Sequence, residues 1–374
     1  MGVLLISGVI LAFLFSGIIM FKKKNKIIAD NILSIWLVFL GLDYLRSYFL
    51  FVEHKMFLLG FGYTLPAIYA PLLFMYVYTL TDNKPKFNKK LLYHLVPFVL
   101  ANLYLLFFIY IKSPEERRIF FYDTTFLTRP VLFHLIQIIM LIIYPVYIIW
   151  IYNLLRKHIE NIKNKFSCKE KIDLHWINYL LLSVSVLWIV ISLIKLFSGY
   201  YDHLYYNNTL LTVYYFEIII IIIIGYFGFN QGVIFLNLSE PELQTTNNIQ
   251  KYKSTGLSSE NAKLLTPKVL EYMKSEKPYL DSELTLIKLA GLLNIPYHHL
   301  SQVINEQLGK NFFEFVNEYR VEEVKQRITK NKYRKFTLLS IAYDSGFNSK
   351  SSFNSVFKKI TKITPKEYMK RAIL

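Results

Sequence analysis

"GFNSKSSFNSVFKKITKITPKEY", residues 346–368, is rich in serine, asparagine and lysine and carries its apolar residues at a few spaced positions. Phe353, Val356 and Phe357 follow the i, i+3, i+4 spacing that lays one apolar stripe along a helix. Ala342 stands four residues before Gly346, and glycine ends a helix at little cost because it accepts the left-handed conformation. Phe347 follows the turn. The stretch reads as helix, sharp turn, helix.

An earlier segment repeats this pattern. In "LAGLLNIPYHHLSQVINEQLGKNFFEF" (289–315), Ala290 precedes Asn294 by four residues, Ile295 follows, and Leu300, Val303 and Ile304 form the next stripe. Thr285 and Thr337 are expected N-caps of the two leading helices, and Asn348 or Ser349 that of the last one. Between the repeats, "FFEFVNEYRVEEVKQRI" (312–328) reads as one connecting helix with Phe312, Phe315, Val316, Tyr319 and Val324 mostly inward. One helix-turn-helix is a weak signal, since helical hairpins also serve as packing units; two in tandem are far more specific.

The chain ahead of this tail is a different material. Over 374 residues the protein is 54% hydrophobic and 17% aromatic, with mean hydropathy +0.33, yet its net charge is +17. High apolarity with a basic excess suits a membrane protein with a basic cytoplasmic part. Seven apolar stretches approach the ~20 residues needed to cross a bilayer: Gly2–Phe21, Ile28–Phe51, Phe57–Leu80, Leu91–Ile111, Val131–Leu155, Trp176–Phe197 and Thr209–Phe229. The last contains seven consecutive isoleucines, Ile218–Ile224. The first has no basic n-region and is followed by "KKKNK", so it is not read as a signal peptide.

Loop charge sets the expected orientation. With the N-terminus outside, inward loops hold 14 basic residues (Lys22, Lys23, Lys24, Lys26; Lys84, Lys86, Lys89, Lys90; Arg156, Lys157, Lys163, Lys165, Lys169, Lys171). Outward loops hold five, Lys55, Lys112, Arg117, Arg118 and Arg129. That asymmetry obeys the positive-inside rule, and an odd number of spans leaves the C-terminus in the cytoplasm. Tyr200, Tyr201, Tyr205 and Tyr206 fit an aromatic belt on the outer side.

No Gly-rich phosphate loop, nucleophile elbow or metal-ligand helix is present in the sequence. The single cysteine, Cys168, excludes an intramolecular disulfide framework, and the adjacent His298 and His299 point about 100° apart on a helix, unsuited to chelating one ion. No catalytic residue, metal site or cofactor is expected.

The duplicated tail resembles the AraC/XylS family of bacterial transcription regulators. "LSIAYDSGFNSKSSFNSVFKKITKITPKEY" looks like that family's signature around its second repeat, and the likeness covers residues 264–372. Lys362 stands where the family commonly has glycine, and Met369 where an arginine often follows the tyrosine. "KYKSTGLSSENAK" and "YMKSEKPYLDSELTL" further resemble members with several membrane spans ahead of the DNA-binding domain. The resemblance implies double-stranded DNA as partner and base-reading positions at His298, Ser301 and Gln302.

Charge and residue chemistry point the same way. Residues 251–374 hold 22 Lys/Arg against 12 Asp/Glu, and Lys332, Arg334 and Lys335 belong to the most basic stretch. Opposite the first stripe, His298, Ser301, Gln302 and Asn305 are candidates for the major groove; Gln302 suits adenine. Opposite the second lie Lys350, Ser351, Asn354 and Ser355, with Lys350 suited to guanine or phosphate and Asn354 to adenine. Lys358 and Lys359 are expected phosphate clamps. Within the apolar spans, Asp43, Arg46 and Glu217 are the polar candidates, because ionisable groups in lipid are costly and tend to mark function. Arg46 has two prospective partners, Glu217 and, three residues back, Asp43. Pro66, Pro71, Pro97 and Pro145 are expected to bend their helices.

The expectation is an all-α protein: a seven-helix transmembrane bundle (1–230), a polar linker (231–263), and a cytoplasmic domain of two helix-turn-helix units joined by a connecting helix (264–374). Its expected function is that of a membrane-bound, sequence-specific transcription regulator in a bacterial inner membrane. A small-molecule or protein signal and a homodimer complete the expected partners beside DNA and the lipid bilayer. The alternative is a membrane receptor or transporter-like protein whose basic tail binds protein or anionic lipid.

Overall fold

The computed structural model describes residues 1–23, 26–81, 88–123, 129–168, 174–197, 211–230, 257–330 and 336–373. Lys24, Lys84, Lys86, Lys169, Lys171, the four tyrosines of 200–206, Lys332, Arg334, Lys335 and most of the expected linker lie outside the described residues. Every regular element among those described is a helix. The chain divides into an N-terminal body (Met1–Arg156 with Leu174–Asn237) and a C-terminal body (Lys157–Asp173 with Leu238–Leu374).

Among the described residues, six helices of the N-terminal part are long and apolar enough to cross a membrane. They are α1 (Gly2–Met20), α2 (Ile28–Phe51), α4 (Lys89–Tyr110), α5 (Val131–Lys165), α6 (His175–Phe197) and α7 (Leu211–Asn230). The third apolar stretch, expected over Phe57–Leu80, is helical only as α3 (Pro66–Thr81), 16 residues long. Such a helix spans about 24 Å against a hydrocarbon core of about 30 Å. Before it, Met56–Leu58 forms only a 3-10 turn, and the helix starts at a proline, whose missing N–H is no loss in a first turn.

On the buried face of α1 the small residues Gly8, Ala12 and Ser16 stand between Leu5 and Ile19. Ser16 and Ser34 lie buried with their hydroxyls 2.8 Å apart, and each also donates to the other's carbonyl at 3.0 Å. At Gly8 the Tyr44 ring comes so close that a Cβ would sit 2.1 Å from its Cδ1. Tyr44 in turn donates to the Tyr214 carbonyl of α7 at 2.8 Å. Pro71 lies inside α3 and Pro145 inside α5, while Pro97 opens the α-helical part of α4.

α5 continues ten residues beyond its expected end at Leu155. The extension is polar apart from Ile159 and Ile162, which keeps it out of the hydropathy signal, but nothing in it breaks a helix. Its end and the residues after it belong to the C-terminal body.

That body contains α8 (Ser259–Ser275), α9 (Leu286–Leu292), α10 (Tyr297–Gln307, ending in a π turn from Val303), α11 (Phe312–Thr329), α12 (Leu338–Asp344), α13 (Lys350–Thr361) and α14 (Pro365–Ile373). α8 begins inside the segment expected as linker, because the Ser258 hydroxyl caps it by accepting from Asn261 N. Two cores form, one for each helix-turn-helix. Leu289, Ala290, Leu300, Val303 and Ile304 fill the first, and Ile341, Ala342, Phe353, Val356 and Phe357 the second. α11 feeds both, with Phe312, Phe315 and Val316 on one side and Phe313, Val321, Val324 and Ile328 on the other. Tyr319 is half-buried. Each fully buried large apolar side chain contributes about 1.5–3 kcal/mol, so this two-sided helix holds the body together.

Candidate nucleic-acid interface

The two turns are built alike. Asn294 has φ +53° and Gly346 φ +93°, both in the left-handed region. In the first, Ile295 N donates to Ala290 O at 3.0 Å; in the second, Phe347 N donates to Ala342 O at 3.1 Å. These matching bonds satisfy carbonyls that a helix end leaves orphaned. Thr285 and Thr337 cap the leading helices by accepting from Lys288 N and Ser340 N, each at 3.1 Å. Ser349, rather than Asn348, caps α13 by accepting from Ser352 N.

On α10 the apolar stripe of Leu300, Val303 and Ile304 is fully buried. His298 and Ser301 are half-buried and Asn305 exposed, with Asn305 Nδ2 donating to Ser301 Oγ at 3.1 Å. Burial, and secondarily the neighbouring His299, holds the His298 imidazole below its ordinary value, so it is neutral at pH 7. Gln302, expected to read adenine, is half-buried and bonded within the protein. Its Oε1 accepts from Leu257 N and its Nε2 donates to Leu257 O, both at 3.1 Å, and Nε2 also reaches Glu306 Oε2 at 2.9 Å. Both ends of the amide are thus engaged in holding Leu257, which precedes the cap of α8, a partner 45 positions away that no local pattern announces.

On α13 the stripe of Phe353, Val356 and Phe357 is buried, and Lys350, Ser351, Asn354, Ser355, Lys358 and Lys359 are all exposed. Lys350 is the first residue of the helix, and no acidic residue occupies the first turn. A cation at that end opposes the helix dipole, an arrangement suited to an incoming anion such as phosphate. Lys359 Nζ pairs with Glu314 Oε1 at 2.7 Å, and this bond is foremost in holding the Glu314 carboxyl below its usual range. α13 ends at Lys362, whose φ of +67° is the left-handed conformation that glycine would take more cheaply.

Behind the two stripes lies a cluster that the sequence did not single out. Arg320, on α11, is 1% exposed. Its Nε donates to Tyr279 O at 2.8 Å and its Nη2 to Asp281 O at 2.8 Å. Burial pushes its pKa down to about 10, still charged at neutral pH. An arginine inside "NEYRVEEVK" carries no pattern that distinguishes it from a surface residue.

In the N-terminal body, Arg46 Nη2 pairs with Asp43 Oδ1 at 2.7 Å, so of its two prospective partners the same-helix one is taken. Arg46 also donates to Ser47 Oγ, which receives the Tyr214 hydroxyl at 2.8 Å. Asp43 and Glu217 instead share the wall of a cavity of about 600 Å³, with Trp36, Tyr69, Gln137 and Trp188 among its other lining residues. Among the described residues no group of His, Cys, Asp and Glu is placed to hold a metal ion.

Comparison with known proteins agrees with the geometry of the tail. Residues 289–371 match the family model described as a helix-turn-helix domain. Similar curated proteins include HTH-type transcriptional regulators of Staphylococcus aureus strains COL and MSSA476, each 36% identical over 90 residues. That overlap is 24% of this chain, and the chain spans 12% of the length of these relatives. Among solved structures, a protein of unknown function from Listeria innocua is 29% identical, covering 28% of this chain and 93% of its own, with a TM-score of 0.25. Over residues 289–371 the tail of this chain is thus similar to a helix-turn-helix domain.

Proposed function

We infer that this protein is a non-enzymatic, membrane-bound transcription regulator that reads double-stranded DNA with α10 and α13. The observation that carries this reading is the duplicated turn: two equivalent left-handed corners, each followed by a helix with one buried stripe and a polar face. A recognition helix needs that division, because one side must pack and the other must meet base edges. On α13 the polar face supplies Lys350, Ser351, Asn354 and Ser355 for bases or phosphate, with Lys358 for phosphate. On α10 it supplies His298, Ser301 and Asn305. The six long apolar helices support a bilayer as the second partner; with the shorter α3 as a seventh crossing, loop charge favours the N-terminus outside and the basic loops and DNA-binding domain in the cytoplasm. The cavity beside Asp43 and Glu217 supports a sensory role for the N-terminal body, with a small molecule as signal.

Mapping the genomic DNA bound by the intact protein tests the reading. A recurring sequence motif, with binding that weakens steeply as salt rises, is the expected result. Retention on anionic vesicles without any DNA motif would instead favour a basic tail that binds lipid.

A further inference from the structure

We propose that Phe166–Cys168, in the segment that joins α5 to α6, is a strap seated at the joint between the two helix-turn-helix repeats, fixing their relative geometry. Phe166 forms an antiparallel bridge with Thr285, the N-cap of α9. Ser167 N donates to Leu284 O at 3.3 Å and Ser167 Oγ donates to the same carbonyl at 2.6 Å. From α11, Asn317 Nδ2 donates to Ser167 O at 3.0 Å, Arg320 Nη1 to Ser167 O at 3.1 Å and Arg320 Nη2 to Ser167 Oγ at 3.0 Å. Asn348, next to the cap of α13, donates from Nδ2 to Cys168 Sγ. Three residues of the strap therefore touch the first repeat, the connecting helix and the second repeat in turn.

This seat is built rather than incidental. Ser167, Asn317 and Arg320 are each 1% exposed. Of the bonds made by the Arg320 guanidinium, two go to Ser167 and two to the carbonyls of Tyr279 and Asp281, with a longer one to Asn317 Oδ1. Withdrawing the strap removes two acceptors from the Arg320 guanidinium, which keeps Tyr279 O and Asp281 O, and one from Asn317, which keeps Phe313 O, a loss of partners that a buried cation disfavours. The same arginine lines the second corner: a Cβ on Gly346 would lie 2.9 Å from Arg320 Nε. A shift of the strap is thus felt at the turn that aims α13.

The function follows from connectivity. The strap is covalently continuous with α5 on one side and, through residues 169–173, precedes α6 on the other, and both are helices of membrane-spanning length. Two recognition helices read DNA together only when their separation and angle match successive stretches of major groove. A displacement of α5 or α6 that tugs the strap changes that match, giving the membrane part a route to the DNA-binding surface separate from the segment 231–256. The inference about DNA rests on the function proposed above; the seat itself does not.

The test uses the full chain in membrane vesicles, carrying F166C and T285C on a C168S background, with a protease site inserted within 240–250. Mild oxidation followed by cleavage is expected to leave the two pieces joined on a non-reducing gel; pieces that separate overturn the seat. In the otherwise native chain, S167P removes the N–H that bonds Leu284 and S167A removes only the hydroxyl. S167P is expected to raise hydrogen exchange of amides in 278–285 and 346–349 at least tenfold, and S167A by less; unchanged exchange in S167P overturns the strap as a structural element. On DNA, S167P is expected to lower affinity for a complete site at least tenfold while sparing a half-site read by one repeat. Equal loss on both overturns the geometric role. Cross-linking of the F166C/T285C chain and the exchange effect of S167P, found together with a wild-type chain that binds no DNA, refute the proposed function and leave the strap standing.

Discussion

Gly346 faces the backbone of Tyr279 so closely that a Cβ would lie 2.2 Å from the Tyr279 carbonyl oxygen. The approach is to backbone, which cannot rotate away, and φ at Gly346 is +93°. Two independent reasons therefore require glycine here. Gly346→Ala is expected to destabilise the C-terminal body by about 2–4 kcal/mol, combining left-handed strain with overpacking. Thermal or denaturant unfolding of the variant checks this, and a loss under about 1 kcal/mol would show that the corner yields.

Lys362 presents the opposite case. It closes α13 in the left-handed conformation with φ +67°, and its side chain is exposed. Lys362→Gly is expected to stabilise the protein by about 0.5–1 kcal/mol, as strain relief outweighs the added freedom of the unfolded chain. The measurement is the unfolding midpoint, which should rise.

The polar face of α13 and the tethered glutamine of α10 should behave differently when truncated. Asn354→Ala is expected to relax preference at one base pair, costing roughly 1–3 kcal/mol on the preferred sequence, and Lys358→Ala to weaken all sequences alike. Gln302→Ala is expected to cost about 1–2 kcal/mol of stability, since it leaves the Leu257 backbone without its partners. Binding to a panel of DNA variants at one salt concentration, alongside unfolding curves, separates the two kinds of effect.

Acid should loosen the C-terminal body through Glu323. Burial alone would lift this carboxyl, but hydrogen bonds from Lys277 and Arg327, with Tyr279, outweigh it and hold the group below its usual value of 4.5. The folded state therefore binds its proton less readily than the unfolded chain. The stabilisation is complete above pH 4.5 and is lost as pH falls below it through the folded value. Glu323→Gln should flatten that part of the stability-against-pH curve, as read by unfolding between about pH 6 and 3.

Arg46 should couple to Asp43 and not to Glu217. The ion pair runs between Arg46 and Asp43 at 2.7 Å, whereas Glu217 faces the cavity. In thermal unfolding of the detergent-solubilised protein, Asp43→Asn and Arg46→Gln are expected to be non-additive by about 0.5 kcal/mol or more, and Arg46→Gln with Glu217→Gln to add.

Most of the helical order was legible in residues close along the chain. The stripes of Leu300, Val303 and Ile304 and of Phe353, Val356 and Phe357, the caps at Thr285 and Thr337, and the corners at Asn294 and Gly346 all depend on neighbours within about one or two helical turns. The apolar spans were equally visible, because hydropathy needs no partner. The third was overestimated for a local reason: an apolar segment is not a helix until something satisfies its backbone, and residues before Pro66 turn instead.

Short-range periodicity and turn chemistry alone thus mark the two materials of this protein, the membrane-length apolar helices and the duplicated helix-turn-helix. The partners of individual polar side chains come from packing between distant segments. Gln302 looks the same in sequence whether it awaits adenine or grips Leu257, and Arg320 looks like any surface arginine on a charged helix. Their roles are set by hydrogen-bond partners 45 and up to 153 positions away, at Leu257 and Ser167. A buried donor must find an acceptor somewhere, but periodicity does not say where; the packing of distant segments does.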